Sequence, residues 1–400
     1  MDRSSRPRVT GPLAAYASGF RAELAAGGYA PSSAARHLWL MARMSAWLEA
    51  MRLETGTLTA QQVERFLRAH HEHGHWFPRS SRGLVPLLTY LRRIGAVLPE
   101  QAAVLSAAEQ LLAHFGGYLA SERGLRDETI AGYVHAARLF LDAVGYRHGR
   151  DLGQLTPGDV RQFLLTQCQC RSVGSAKCVV SGLRAWLRFL HVEGITAMSL
   201  SGSVPAVAGW GSTSLPRAID ATSAQALVDS CDRRTGKGRR DVAVLVLMSR
   251  LGLRVGEVAT LALADIDWCS GQIVVRGKAN RIDRLPLPVD VGQALADYVQ
   301  HGRPNVDHQE LFLRVLAPHH ALTAAAVKAI VYRACARSGL PALSAHRLRH
   351  TVASELLRRG AGLPEIGQLL RHRSLASTAI YAKVDDAALR HLARPWPGAA

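Results

Sequence analysis

The stretch LSAHRLRHTVASELL, residues 343–357, sets His346, Arg347, Arg349 and His350 within five positions among leucines and small residues. Two imidazoles and two guanidiniums so close together are suited to holding an anion. His346 and Arg349 are three apart and share a helix face, with His350 one turn beyond His346. Upstream, GLRVGEV places Arg254 between Gly252 and Gly256 at a break in the apolar run 241–263. This reads as a helix junction in the core, where a guanidinium requires a carboxylate or phosphate partner, and Glu257 is placed to orient it. Downstream, LPEIGQLLRHRSLASTAIYAKV (363–384) carries His372 in a short inter-helix segment and Tyr381 nine residues later. Lys278 stands in the turn GKAN, on a tip able to reach a substrate.

No Asp/Glu cluster of metal-binding type accompanies these residues, and no Gly-rich phosphate loop with a following Lys-Ser/Thr. Two guanidiniums can grip the non-bridging oxygens of a phosphodiester and offset the charge that builds in a pentavalent transition state. A metal ion would otherwise fill that role. A tyrosine hydroxyl is ionised in only about one molecule in a thousand at pH 7, so attack on phosphorus requires a neighbouring base or a positive field. Imidazole supplies the base, and a lysine with a lowered pKa supplies an acid for the departing sugar oxygen. The expected anion is a DNA phosphate, and no metal or other cofactor is expected.

The surrounding chain must position these groups. The 400 residues suffice for two or three domains, and a hydrophobic fraction of 48% marks a globular chain. Lys plus Arg exceed Asp plus Glu by 49 to 31, a net charge of +18 that calls for a polyanionic partner. No apolar run reaches membrane-spanning length and no cleavable leader opens the chain, so a cytoplasmic, nucleoid-associated bacterial protein is expected. Cys168, Cys170 and Cys178 lie close together, and RAHHEHGHW (68–76) holds four histidines, but neither has a partner set at metal-ligand spacing. The segment 265–288 reads as antiparallel strands, with alternation in GQIVVRG. The rest reads as helix, so the expected fold is mainly α with a small antiparallel β-sheet in the catalytic domain.

The front half repeats itself. LTAQQVERFL (58–67) returns as LTPGDVRQFL (155–164), each behind a Thr cap, and GLVPLLTYLRRIGAV (83–97) is answered by GLRAWLRFLHVEGIT (182–196). This predicts an N-terminal helical domain over 1–100, a second copy over 105–196, an uncharged Gly/Ser/Pro-rich linker over 197–216, and a catalytic domain over 217–400. In the second copy Arg171, Lys177, Arg184 and Arg188 form a basic stripe able to follow a phosphate backbone.

GLRVGEVATLALADIDW, VVRGKANRIDRLPLP, SAHRLRHTVASELLRRG and IGQLLRHRSLASTAIYAKV, in this order and spacing, resemble the signature boxes of the tyrosine recombinase (phage integrase) family. The resemblance covers about 217–390, and 105–196 resembles the family's SAM-like helical core-binding domain. It implies Tyr381 as a nucleophile forming a 3′-phosphotyrosyl link, Arg254 and Arg349 holding the scissile phosphate, and His372 hydrogen-bonding it. It further implies His346 as proton acceptor, Lys278 as general acid and Glu257 in support. The partner would be double-stranded DNA, bound by a homo-tetramer on two duplexes, with sister recombinases or accessory proteins as further partners. Residues 385–397 would form a tail helix that docks on a neighbouring subunit. The chain departs from the family pattern at Arg371, where glycine is usual, and at Arg373, where a small polar residue is common. These extra charges are expected to contact flanking phosphates, or Arg371 to change how His372 sits. A type IB topoisomerase is disfavoured by the duplicated front end, and an inactive DNA-binding regulator by the presence of Tyr381, Lys278 and both arginines.

Overall fold

The computed structural model describes residues 8–71, 83–98, 105–206, 218–277, 281–372 and 374–384. Lys278, Arg373, the tail segment 385–397 and most of the His-rich loop lie outside the described residues. The chain divides into two compact units: residues 100–213, and residues 1–99 together with 214–400.

The two halves of the sequence repeat fold with the same local devices. Each contains four α-helices among its described residues: Ala17–Ala26, Pro31–Ala50, Ala60–His71 and Val85–Arg93 in the first, and Ala107–Ser121, Asp127–Ala143, Pro157–Gln169 and Val173–Val192 in the second. The third helix of each opens on a threonine whose hydroxyl accepts a backbone N–H three residues on, Gln62 N to Thr59 Oγ1 and Asp159 N to Thr156 Oγ1, both at 3.3 Å. The fourth helices end alike. Gly95 and Gly194 take left-handed φ of 73° and 70°, which lets Ala96 N reach Leu91 O and Ile195 N reach Leu190 O, each at 2.9 Å. The aligned apolar positions are buried in both, as Val63 with Val160, Phe66 with Phe163, and Leu87 with Trp186.

Within the stretch expected as linker, Leu200 and Val204 are buried in the core of the second helical segment. An uncharged stretch reads as linker, but two apolar side chains spaced one turn apart are enough to anchor it.

In the 218–384 region an apolar helix, Gly236–Arg250, is surrounded by Ala221–Asp229, Val289–His301, Ala324–Arg337 and Ala345–Arg358, and their shared core includes Val244, Leu247, Leu295, Val331 and Leu348. A three-stranded antiparallel sheet lies beside them, with order β1 (Ile266–Asp267), β2 (Gln272–Arg276), β3 (Ile282–Pro286) and register Ile273↔Leu285. Ile273, Val275 and Leu285 are buried while Ile282 is exposed, the alternation expected of a sheet with one covered face. Gly277 N donates to Arg281 O at 2.7 Å, closing the β2–β3 ladder next to the turn sequence. The chain is thus mainly helical with one small antiparallel sheet. Among the described residues, no helix is long and apolar enough to cross a membrane.

Candidate active site

Arg254 stands immediately before the short helix Val255–Ala259, where its backbone N donates to Glu257 Oε2 at 2.8 Å and its Nη1 to Glu257 Oε1 at 2.7 Å. The expectation of a carboxylate partner is met, but the expectation of a core position is not. The Arg254 side chain is 40% exposed, whereas that of Glu257 is 5% exposed.

Gly252 contributes directly to the site. Its φ of 59° is left-handed, and a Cβ built there would lie 2.7 Å from Leu370 Cδ2. Glycine takes this backbone without strain and leaves room for Leu370, and the Gly252 carbonyl lies 2.7 Å from Arg349 Nη1. Arg349 Nη2 also donates to the Leu370 carbonyl. The guanidinium is therefore anchored by backbone on two sides, in a residue only 1% exposed. Two of its five N–H groups are spent on these carbonyls, and the others remain for an anion. Burial, then the neighbouring charges of Arg254 and Arg371, push the Arg349 pKa down to about 9. A buried guanidinium under this pressure would gain from a bound phosphate.

Tyr381 lies in the 3₁₀ stretch Ala379–Val384 and packs with Val352, Ala353, Ile366 and Leu370. It is 1% exposed. Its hydroxyl is 2.8 Å from Nδ1 of His350, on the helix Ala345–Arg358. Burial pushes the phenol pKa up, and the positive charges of Arg349 and Arg254 act against that rise. The His346 ring meets His350 edge to face, with centroids 4.6 Å apart. His372 lies nearly parallel to the Tyr381 ring at 6.3 Å, and its Nδ1 is 2.7 Å from Thr378 Oγ1. The His350 and His372 pKa values are each pushed down to about 4, first by burial, then by His346 and Arg349 for His350 and by Arg349 and Arg254 for His372. Both imidazoles are accordingly neutral near pH 7 and able to accept a proton.

Arg371, read from the sequence as a DNA contact or a modifier of His372, faces inward. It is 4% exposed, its Nη2 donates to Glu257 Oε2 at 2.8 Å, and its Nη1 donates to Leu369 O at 2.8 Å. Its φ is 55°, the left-handed backbone that favours glycine. The buried Glu257 carboxylate thus joins two guanidiniums, from Arg254 and Arg371. Burial alone would raise the Glu257 pKa, but Arg371 and the Arg254 amide and guanidinium together hold it below the ordinary value.

The structure therefore brings together Arg254, Glu257, His346, Arg349, Arg371, His372 and Tyr381. His350 joins them although it carried no role in the sequence reading. Its position one turn from His346 was the available signal, but its contact with Tyr381, 31 residues away, was not. In the second helical segment Lys177, Arg184 and Arg188 lie on the exposed side of Val173–Val192, a spacing that makes one stripe along the helix. Arg184 is tethered to Val204 O at 2.8 Å and Arg171 to Gln167 Oε1 at 2.7 Å.

Residues 217–388 match the phage integrase family, and residues 112–199 match the phage integrase N-terminal SAM-like domain. An integrase/recombinase of Sinorhizobium fredii, y4rA, is 38% identical over 99% of this chain and 97% of its own length. The tyrosine recombinase XerC of Oceanobacillus iheyensis is 32% identical over 69% of this chain and 92% of its own. Among solved structures, the XerH site-specific recombinase bound to palindromic difH in a post-cleavage complex shares the fold with a TM-score of 0.58, at 18% identity, over 84% of this chain and 94% of that one.

Proposed function

The chain belongs to the phage integrase family of tyrosine recombinases, enzymes that cleave and rejoin DNA, and from this membership we propose that it recombines DNA at specific sites through a 3′-phosphotyrosyl intermediate. The observation that supports this most directly is a tyrosine hydroxyl held beside neutral imidazole and under the positive field of two arginines. In this reading Tyr381 Oη attacks the scissile phosphorus and the bond to the 5′ oxygen breaks. Arg254 and Arg349 bind the non-bridging oxygens, and His372 adds a hydrogen bond. Imidazole takes the phenolic proton, a role that the family pattern gives to His346. Lys278 protonates the departing 5′ oxygen. The phosphotyrosyl bond keeps the phosphodiester's energy, so rejoining runs as the reverse displacement without ATP, and the guanidiniums stand where a metal would otherwise act. The stripe of Lys177, Arg184 and Arg188 binds the backbone of the same duplex. A homo-tetramer on two duplexes completes strand exchange, with the N-terminal helical segment as an added DNA or partner contact.

The test is a suicide-substrate assay. Nicked duplexes tiling the ends of the DNA element that carries the gene are incubated with the protein in EDTA and resolved on a denaturing gel. A covalent protein–DNA adduct is expected, and it should vanish in Tyr381→Phe while DNA binding is kept. An adduct that survives this substitution, or that requires a divalent metal, would overturn the reading.

A further inference from the structure

We infer that His350 is the immediate acceptor of the Tyr381 proton in strand cleavage and returns that proton in rejoining. The inference rests on the recombinase reading above and assigns a residue that the family pattern leaves without a role. It starts from position: His350 Nδ1 lies 2.8 Å from the hydroxyl that must lose a proton, within the distance a general base requires. The position is rigid. One residue before it, Arg349 is anchored by the carbonyls of Gly252 and Leu370, and the following turn buries Val352 and Ala353 against the same small core that contains Tyr381. Tyr381 and His350 are therefore held together on one packed cluster in the closed site.

The electrostatics agree with this geometry. His350 faces His346 and Arg349 from its own helix and Tyr381 from the 3₁₀ stretch, and burial, followed by the neighbouring His346 and Arg349, leaves its imidazole neutral. A neutral Nδ1 can accept the phenolic hydrogen. A phosphate bound by Arg254 and Arg349 would offset the Arg349 charge and make His350 more basic only when substrate is present. His346 is exposed and touches His350 edge to face, so it stands second in line, between His350 and solvent. The step balances. The Oη–P bond forms as the P–O5′ bond breaks, the phenolic proton moves to His350, and Lys278 protonates the 5′ oxygen. In rejoining, the 5′ hydroxyl attacks phosphorus and gives its proton back to Lys278, while His350 protonates the departing Tyr381 oxygen.

His350→Gln separates proton transfer from positioning, because the glutamine carbonyl can accept the tyrosine hydrogen bond but cannot take up the proton. Single-turnover adduct formation on the nicked duplexes should fall by about 10²–10⁴-fold, the range for loss of a general base, with gel-shift binding and the unfolding midpoint unchanged. The residual rate should climb about tenfold per pH unit, since hydroxide must then remove the proton. If glutamine is not accommodated, His350→Ala should regain adduct formation with added imidazole. A His350→Gln rate within about threefold of the unsubstituted protein, paired with a large loss in His346→Gln, would overturn the assignment in favour of His346. A faster rate would also overturn it, because the hydrogen bond would then restrain the nucleophile. If the unsubstituted protein forms no adduct on these duplexes, the recombinase reading itself fails and takes the assignment with it.

Discussion

The 105–206 segment and the 218–384 region are built by different means. In the first, aromatic packing dominates. Phe115, Trp186 and Phe189 meet with centroids 5.0–5.5 Å apart, Phe140 meets Phe163 at 5.2 Å, and the only buried polar side chain among the described residues is Thr196. In the second, Arg240, Asp241, Glu257, Asp265, Arg349 and Arg371 are all buried. Burying apolar area stabilises a fold, whereas a buried ion pair roughly breaks even against its desolvation. A segment that only needs to present a basic stripe can rely on packing. A site that must hold an anion in one orientation keeps charges inside, where the backbone and their partners fix them.

Substitutions in the two regions should therefore fail in different ways. The largest stability effect belongs to Trp186→Ala, which removes a fully buried ring from the aromatic cluster and should cost about 3–5 kcal/mol. Urea unfolding should show the loss, and adduct formation should weaken only as far as the folded fraction does. Glu257→Gln comes next, at about 3 kcal/mol, because it leaves the Arg371 guanidinium buried without a countercharge. Here adduct formation should fall further than unfolding explains, since Arg254 loses the same partner. The smallest stability effect is expected for Arg371→Gly. It relieves a left-handed backbone strain of roughly 1–2 kcal/mol while giving up the ion pair, for a net change within about 1 kcal/mol. Adduct formation should still drop about tenfold, as Glu257 is left to a single guanidinium. A Glu257→Gln protein as active per folded molecule as the unsubstituted one would remove the distinction between the two regions.

What could be read from the sequence follows the range of the interactions. The repeat, its two threonine caps and the strand pair were legible because each shows in short runs of sequence, whether read alone or matched against one another. Arg254, Arg349, His372 and Tyr381 were legible as types and spacings, although spacing did not tell that Arg254 is half exposed and Glu257 buried. The Arg349 anchor to the Gly252 carbonyl and the Arg371 pair with Glu257 span 97 and 114 residues, beyond any local pattern. Arg371 shows the limit best. A charge at a glycine position looks like a surface addition, but the left-handed turn that made glycine suitable also aims the side chain inward.

The burial of Tyr381 has a practical consequence for watching this molecule. A phenol with 1% of its surface open presents almost nothing to a diffusing reagent. Its nitration or iodination must wait for the 375–384 segment to lift away from Val352, Ile366 and Leu370. Tyr381 thus doubles as a chemical clock, and the time it takes to label measures how often this packed segment opens, with and without DNA.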